Sequence, residues 1–151
     1  MQYKSFTEED LNSVLDAGGY ISRIKTIANA LIENIVTLGG DPEIQNSTKS
    51  SMVYGEDGTI LIRTPYGDGR ITFDLLVDGK IQGRHTVEKQ VRSSDGSLVW
   101  VPVWSMSTSE RGVFLGNYEQ PFTMNGPHVS GRIWEAYVSI IYAIATGPIR
   151  A

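Results

Sequence analysis

The chain has 151 residues, a mass of 16.6 kDa, no cysteine and a formal charge of −4 at pH 7. That length suits a single domain over 1–151, able to bury roughly 70% of the surface its unfolded chain exposes, so neither a disulfide nor a metal is needed for folding. The lack of cysteine excludes thiol nucleophiles, cysteine-ligated zinc and iron–sulfur clusters, and 17 Asp and Glu against 13 Lys and Arg argue against a general nucleic-acid binder.

Met1–Asp10 carries Glu8-Glu9-Asp10 where a secretory signal would have a basic start and an apolar run, so a soluble, cytoplasmic chain is expected. Thr7 caps a short helix whose first turn holds those acids, and Gly18-Gly19 stops it near Ala17. A second helix is predicted from about Tyr20 to Leu38. Ile21, Ile24, Ala28, Leu31, Ile35 and Leu38 recur at spacings of three and four, with Ser22, Arg23, Lys25, Asn29, Glu33 and Asn34 on the wet side. Gly39-Gly40-Asp41-Pro42 ends it.

Asp-Gly then recurs at 57–58, 68–69, 78–79 and 95–96, a strong hairpin signal. The intervening segments, Met52–Glu56, Thr59–Thr64, Arg70–Val77, Lys80–Arg92 and Leu98–Met106, predict an antiparallel meander of about five strands. Parity refines one hairpin. Ile71, Phe73, Leu75 and Val77 share a face, as do Ile81, Gly83, His85, Val87 and Val91. A three-residue loop, Val77-Asp78-Gly79, brings the two apolar sets together with Leu75 opposite Ile81.

Leu98–Trp104 is apolar on both faces, which calls for a second layer or a second subunit, and Pro102 leaves one backbone edge unpaired or bulged. Ser105–Gly131 reads as a long loop with one short strand, Val113–Leu115. A final helix from about Gly131 to Thr146, with Ser130 as N-cap and Gly147 as stop, is apolar around nearly its whole circumference, more than one sheet can cover. It is too short and interrupted to span a bilayer, which needs about 20 residues. The fold class is therefore α+β: two N-terminal helices, a roughly five-stranded meander and a very apolar C-terminal helix.

Candidate chemistry is sparse. No His or carboxylate cluster has metal-ligand spacing, and no cofactor motif is present. Asn125–Arg132 is the best candidate site. A helix N-terminus offers free N–H groups to an anion, Gly131 allows close approach, Ser130 supplies a hydroxyl, and His128 and Arg132 add charge. The plainer account is a turn followed by a capped helix. His128-Val129-Ser130 also resembles the His-x-Ser/Thr half-motif of the 2H phosphoesterase families, a resemblance that implies phosphodiester cleavage between two such motifs. The partner motif fails, because His85 is followed by Thr86-Val87, and parity makes His85 a core residue. Trp100 and Trp104, with Tyr118 and Phe122, could stack on a base or fill a partner's pocket. Arg63, Arg84, Arg92 and Arg111 read as a solvated face.

The function expected from these residues is a non-catalytic homo-oligomer that binds a protein partner as an assembly subunit or inhibitor. A small, cysteine-free, hairpin-rich chain would suit a phage or mobile element. The alternatives are a binder of a small anionic ligand such as a nucleotide at His128, Ser130, Gly131 and Arg132 with Trp100 and Trp104, and a 2H-like phosphodiesterase.

Overall fold

The computed structural model describes residues 4–117 and 120–151. Helix α1 (Glu8–Gly18) opens with a reciprocal capping box: the Asp10 N–H donates to the Thr7 hydroxyl and the Thr7 N–H to the Asp10 carboxylate. Helix α2 (Ile21–Gly39) buries Ile24, Ala28, Leu31 and Ile35, the stripe marked by the three- and four-residue spacing. A further helix, α3 (Pro42–Thr48), follows where only a stop was expected. The Asp41 carboxylate accepts from the Glu43 and Ile44 N–H groups and Pro42 needs no partner in the first turn, so the residues that end α2 also begin α3.

Six antiparallel strands then form one sheet in sequence order: β1 (Ser51–Tyr54), β2 (Ile60–Thr64), β3 (Gly67–Asp78), β4 (Lys80–Arg92), β5 (Leu98–Ser109) and β6 (Gly112–Leu115). The α+β meander is as expected, with β6 as a sixth strand. Three Asp-Gly pairs make turns, with φ of +82°, +70° and +85° at Gly58, Gly79 and Gly96. The Asp68-Gly69 pair does not. It lies within β3, and the β2–β3 turn is Pro65-Tyr66, closed by pairing of Thr64 with Gly67. Gly69 serves packing instead, since a Cβ there would stand 2.6 Å from Ile144 Cδ1 of the last helix.

In the β3–β4 hairpin the expected faces meet, and Ile81, Gly83, His85, Val87, Lys89 and Val91 are all buried. The register differs from the expected one by two residues: Val77 faces Ile81 and Leu75 faces Gly83. A slip of two preserves every face, so parity alone does not resolve it. Packing does: the Phe73 ring lies against Gly83, where a Cβ would meet its Cε2 at 2.6 Å.

The double-sided apolarity of Leu98–Trp104 has a local cause at Trp104 alone, since Leu98, Trp100 and Pro102 still lie on the face away from the core. A bulge shifts the β4–β5 register between Val87 and Glu88, so Trp104 opposes Val87 while Pro102 opposes Glu88 and Trp100 opposes Gln90. Side chains that strict alternation would align are thereby sent to opposite faces.

Helix α4 (Val129–Thr146) starts earlier than expected. His128 holds the N-cap position without a side-chain cap bond, and Ser130 sits inside the first turn, so Ser130 is not the cap. Backbone bonds from Val129 N–H to the Gly126 carbonyl and from Arg132 N–H to the His128 carbonyl have already wound the chain there. Helices α2 and α4 pack on the same face of the sheet, where Leu31, Ile35, Ile133, Tyr137, Ile140 and Ile144 meet Ile60, Ile62, Ile71, Val87 and Met106 in one core. The buried Tyr137 hydroxyl reaches Ser50 at 2.7 Å, and Ser50 reaches Thr48 at 2.6 Å, tying α4 to the α3–β1 junction. Among the described residues, no helix is long and apolar enough to cross a membrane.

Candidate functional site

The residues before α4 come together without converging. His128 and Ser130 are exposed, and a Cβ added at Gly131 would meet nothing within 4 Å, so no close backbone approach explains that glycine. The Arg132 guanidinium turns along the helix, pairing with Glu135 at 2.8 Å and lying 5.7 Å from the centre of the Phe122 ring. The Val129 and Arg132 N–H groups are thus already bonded within the chain, and the cation expected to assist an anion there is held by a carboxylate.

The tryptophans are separated by the bulge. Trp100 lies on the face away from the helices, under the Arg70 guanidinium at 4.4 Å, and Arg70 pairs with Glu88 at 2.8 Å. Trp104 packs against the core on the other face, its Nε1 2.8 Å from where a Cβ of Gly116 would stand. They form no common stacking platform, and neither reaches the start of α4 as part of one site. Tyr118 lies outside the described residues. Arg63, Arg84, Arg92 and Arg111 are exposed, as a solvated face requires.

His85 is the buried imidazole that parity indicates, 4% exposed, with its ring centre 4.7 Å from that of Phe73. Burial pushes its pKa from 6.5 to about 4. Its Nδ1 has no hydrogen-bond partner among the described residues. An unmade buried bond of this kind costs about 1–3 kcal/mol. The ring forms part of the wall of an open cavity of about 300 Å³ between α2 and the sheet, with Asn29, Glu33, Tyr54, Phe73 and Ile71 among its other walls. His128 is not among them, so the two halves of a 2H-like site are not joined in this cavity.

The sequence puts Asn29 and Glu33 on the wet side of α2 and gives them no role there. Their spacing of four, one turn apart beside Ile32, was the available signal that both overlook one spot. Lys89 is a second such residue, whose odd number places it with the buried set of β4. It is 5% exposed, and its Nζ points at the Gly147 carbonyl at 3.5 Å, where the end of α4 carries partial negative charge.

Two apolar stripes remain uncovered. On α4, Trp134, Val138 and Tyr142 are 41%, 41% and 68% exposed, and a groove of about 500 Å³ separates this stripe from Val103 and Trp104 of β5. On α1, Leu11, Val14 and Leu15 face solvent while only Ala17 is buried. A cleft of about 690 Å³ lies between α1, the β3–β4 turn and the β5–β6 turn, with Asp16, Lys80, Glu110 and Arg111 at its walls.

Comparison with protein-family models, curated proteins and solved structures gives no match.

Proposed function

We propose that this chain acts without catalysis, as a self-associating subunit that binds a macromolecular partner. The observation that carries this reading is the stripe Trp134, Val138, Tyr142, which recurs every four residues on α4 and whose Val138 and Tyr142 border the groove against Val103 and Trp104. Contiguous apolar surface rimmed by polar groups is unusual on a monomer and marks an interaction site. A second copy suits it well. The groove walls are uncharged, so two chains of charge −4 can meet there without burying a charge. Raised side chains and groove also lie side by side, as a two-fold contact between identical surfaces requires.

The backbone edge of β5 adds to this reading. Residues Leu98–Trp104 pair with β4 on one side, whereas β6 pairs only from Met106 onward. Pro102 interrupts that edge and blocks continuous strand addition, so side-chain packing drives the association. The α1 stripe serves the partner. Helix α1 packs Ala17 in a cluster with Ile81 at one end of the long hairpin, while the C-terminal turn of α4 sits over Gly69 at the other. Light scattering on the eluting protein tests the reading: the expected mass is at least twice 16.6 kDa. A stable monomer at tens of micromolar would overturn it.

A further inference from the structure

We propose that the cavity walled by His85 is a binding site for a small, flat organic cation carrying N–H donors, of the amidine or aryl-guanidine class. The almost fully buried His85 imidazole in the cavity wall, which makes no side-chain hydrogen bond among the described residues, is the first reason. The Nδ1 is closed off from solvent, so a guest in the cavity meets the rest of this unpaired ring. Charge is the second. Glu33 is the charged residue in the cavity wall among the described residues, joined by the Asn29 amide and the Tyr54 phenol, and no described lysine or arginine lines it to hold an anion. Amidinium N–H groups match the two carboxylate oxygens of Glu33 in a forked pair.

Shape is the third reason. Phe73 and Tyr54 present aromatic rings to the space, which suits a flat, cationic guest, and about 300 Å³ accommodates a single aromatic ring with its substituent. The imidazole is compatible with such a guest. Kept neutral by burial near pH 7, it offers a lone pair and does not repel a cation.

Benzamidine and benzoate, alike in size and opposite in charge, are the probes. Protein labelled at its histidine nitrogens is titrated with each and the His85 ring resonances are followed. Benzamidine is expected to shift them saturably and benzoate to leave them unmoved. Glu33→Gln, at an exposed helical position, should keep the parent's melting temperature and weaken benzamidine by about tenfold or more. Unmoved His85 resonances with benzamidine, equal binding of benzoate, or unchanged affinity in Glu33→Gln would each overturn the proposal. None of these outcomes depends on whether the chain self-associates.

Discussion

At His85, packing and protonation are coupled. The unfolded chain protonates this ring near pH 6.5, whereas the folded chain resists until about pH 4. As pH falls, the unfolded state therefore takes up its proton first. The stability tied to the neutral ring is complete above pH 6.5 and is lost between there and about pH 4, a change of about 3 kcal/mol. The Asp95 carboxylate, held down to about 2 chiefly by the Ser93 and Ser97 hydroxyls, acts in a lower window. Its contribution is present above 3.8 and lost as pH falls toward about 2. Urea unfolding followed from about pH 7 to about pH 4.5 should show the decline in the parent and a flatter profile in His85→Gln. Equal slopes would show that the ring is solvated. Tyr137 offers a second measurement. Tyr137→Phe removes the bond to Ser50 and leaves Ser50 bonded to Thr48, so thermal unfolding should show a loss of about 1 kcal/mol. Both residues were partly legible in the sequence: alternation placed His85 inside, but nothing local indicated that Tyr137 would reach a serine far along the chain.

Among the elements, those fixed by short-range chemistry were the most legible. The Thr7 capping box, the α2 stripe and three Asp-Gly turns depend on residues within a few positions of each other. Asp68-Gly69 has the same local signature and a different cause, because Ile144 lies over it from the far end of the chain. A paired substitution separates the two kinds of glycine. Gly69→Ala forces a methyl against Ile144 and the Glu88 carbonyl and should destabilise by about 1–3 kcal/mol. Gly131→Ala meets open space within α4 and should stabilise by up to about 1 kcal/mol, by removing backbone freedom from the unfolded chain. Denaturant midpoints of the two variants should therefore move in opposite directions. A loss at Gly131 would reveal a close contact at the start of α4. The bulge in β5 belongs with Gly69: Pro102 signalled an irregular edge, yet the separation of Trp100 from Trp104 depends on how β4 registers against it.

For the whole molecule, the question is what covers the outward face of α4. Its inner face supplies Ile133, Tyr137, Ile140 and Ile144 to the core, so the excess of apolar residues around the helix was visible in the sequence, while the direction faced by the excess depends on which side meets the sheet. Val138 and Tyr142 are exposed, and glutamate, a better helix former than either, leaves the core untouched at both positions. In a two-fold contact, each copy would then bring two added negative charges against the other. Val138→Glu/Tyr142→Glu should elute as a folded monomer at concentrations where the parent is an oligomer. The melting temperature supplies an independent reading. Association that involves only folded chains makes the parent's melting temperature rise with protein concentration, by mass action. The double variant should lose that dependence and keep the parent's circular dichroism. If its concentration dependence is unchanged, the copies meet elsewhere, and Leu11, Val14 and Leu15 of α1 become the surface to substitute next.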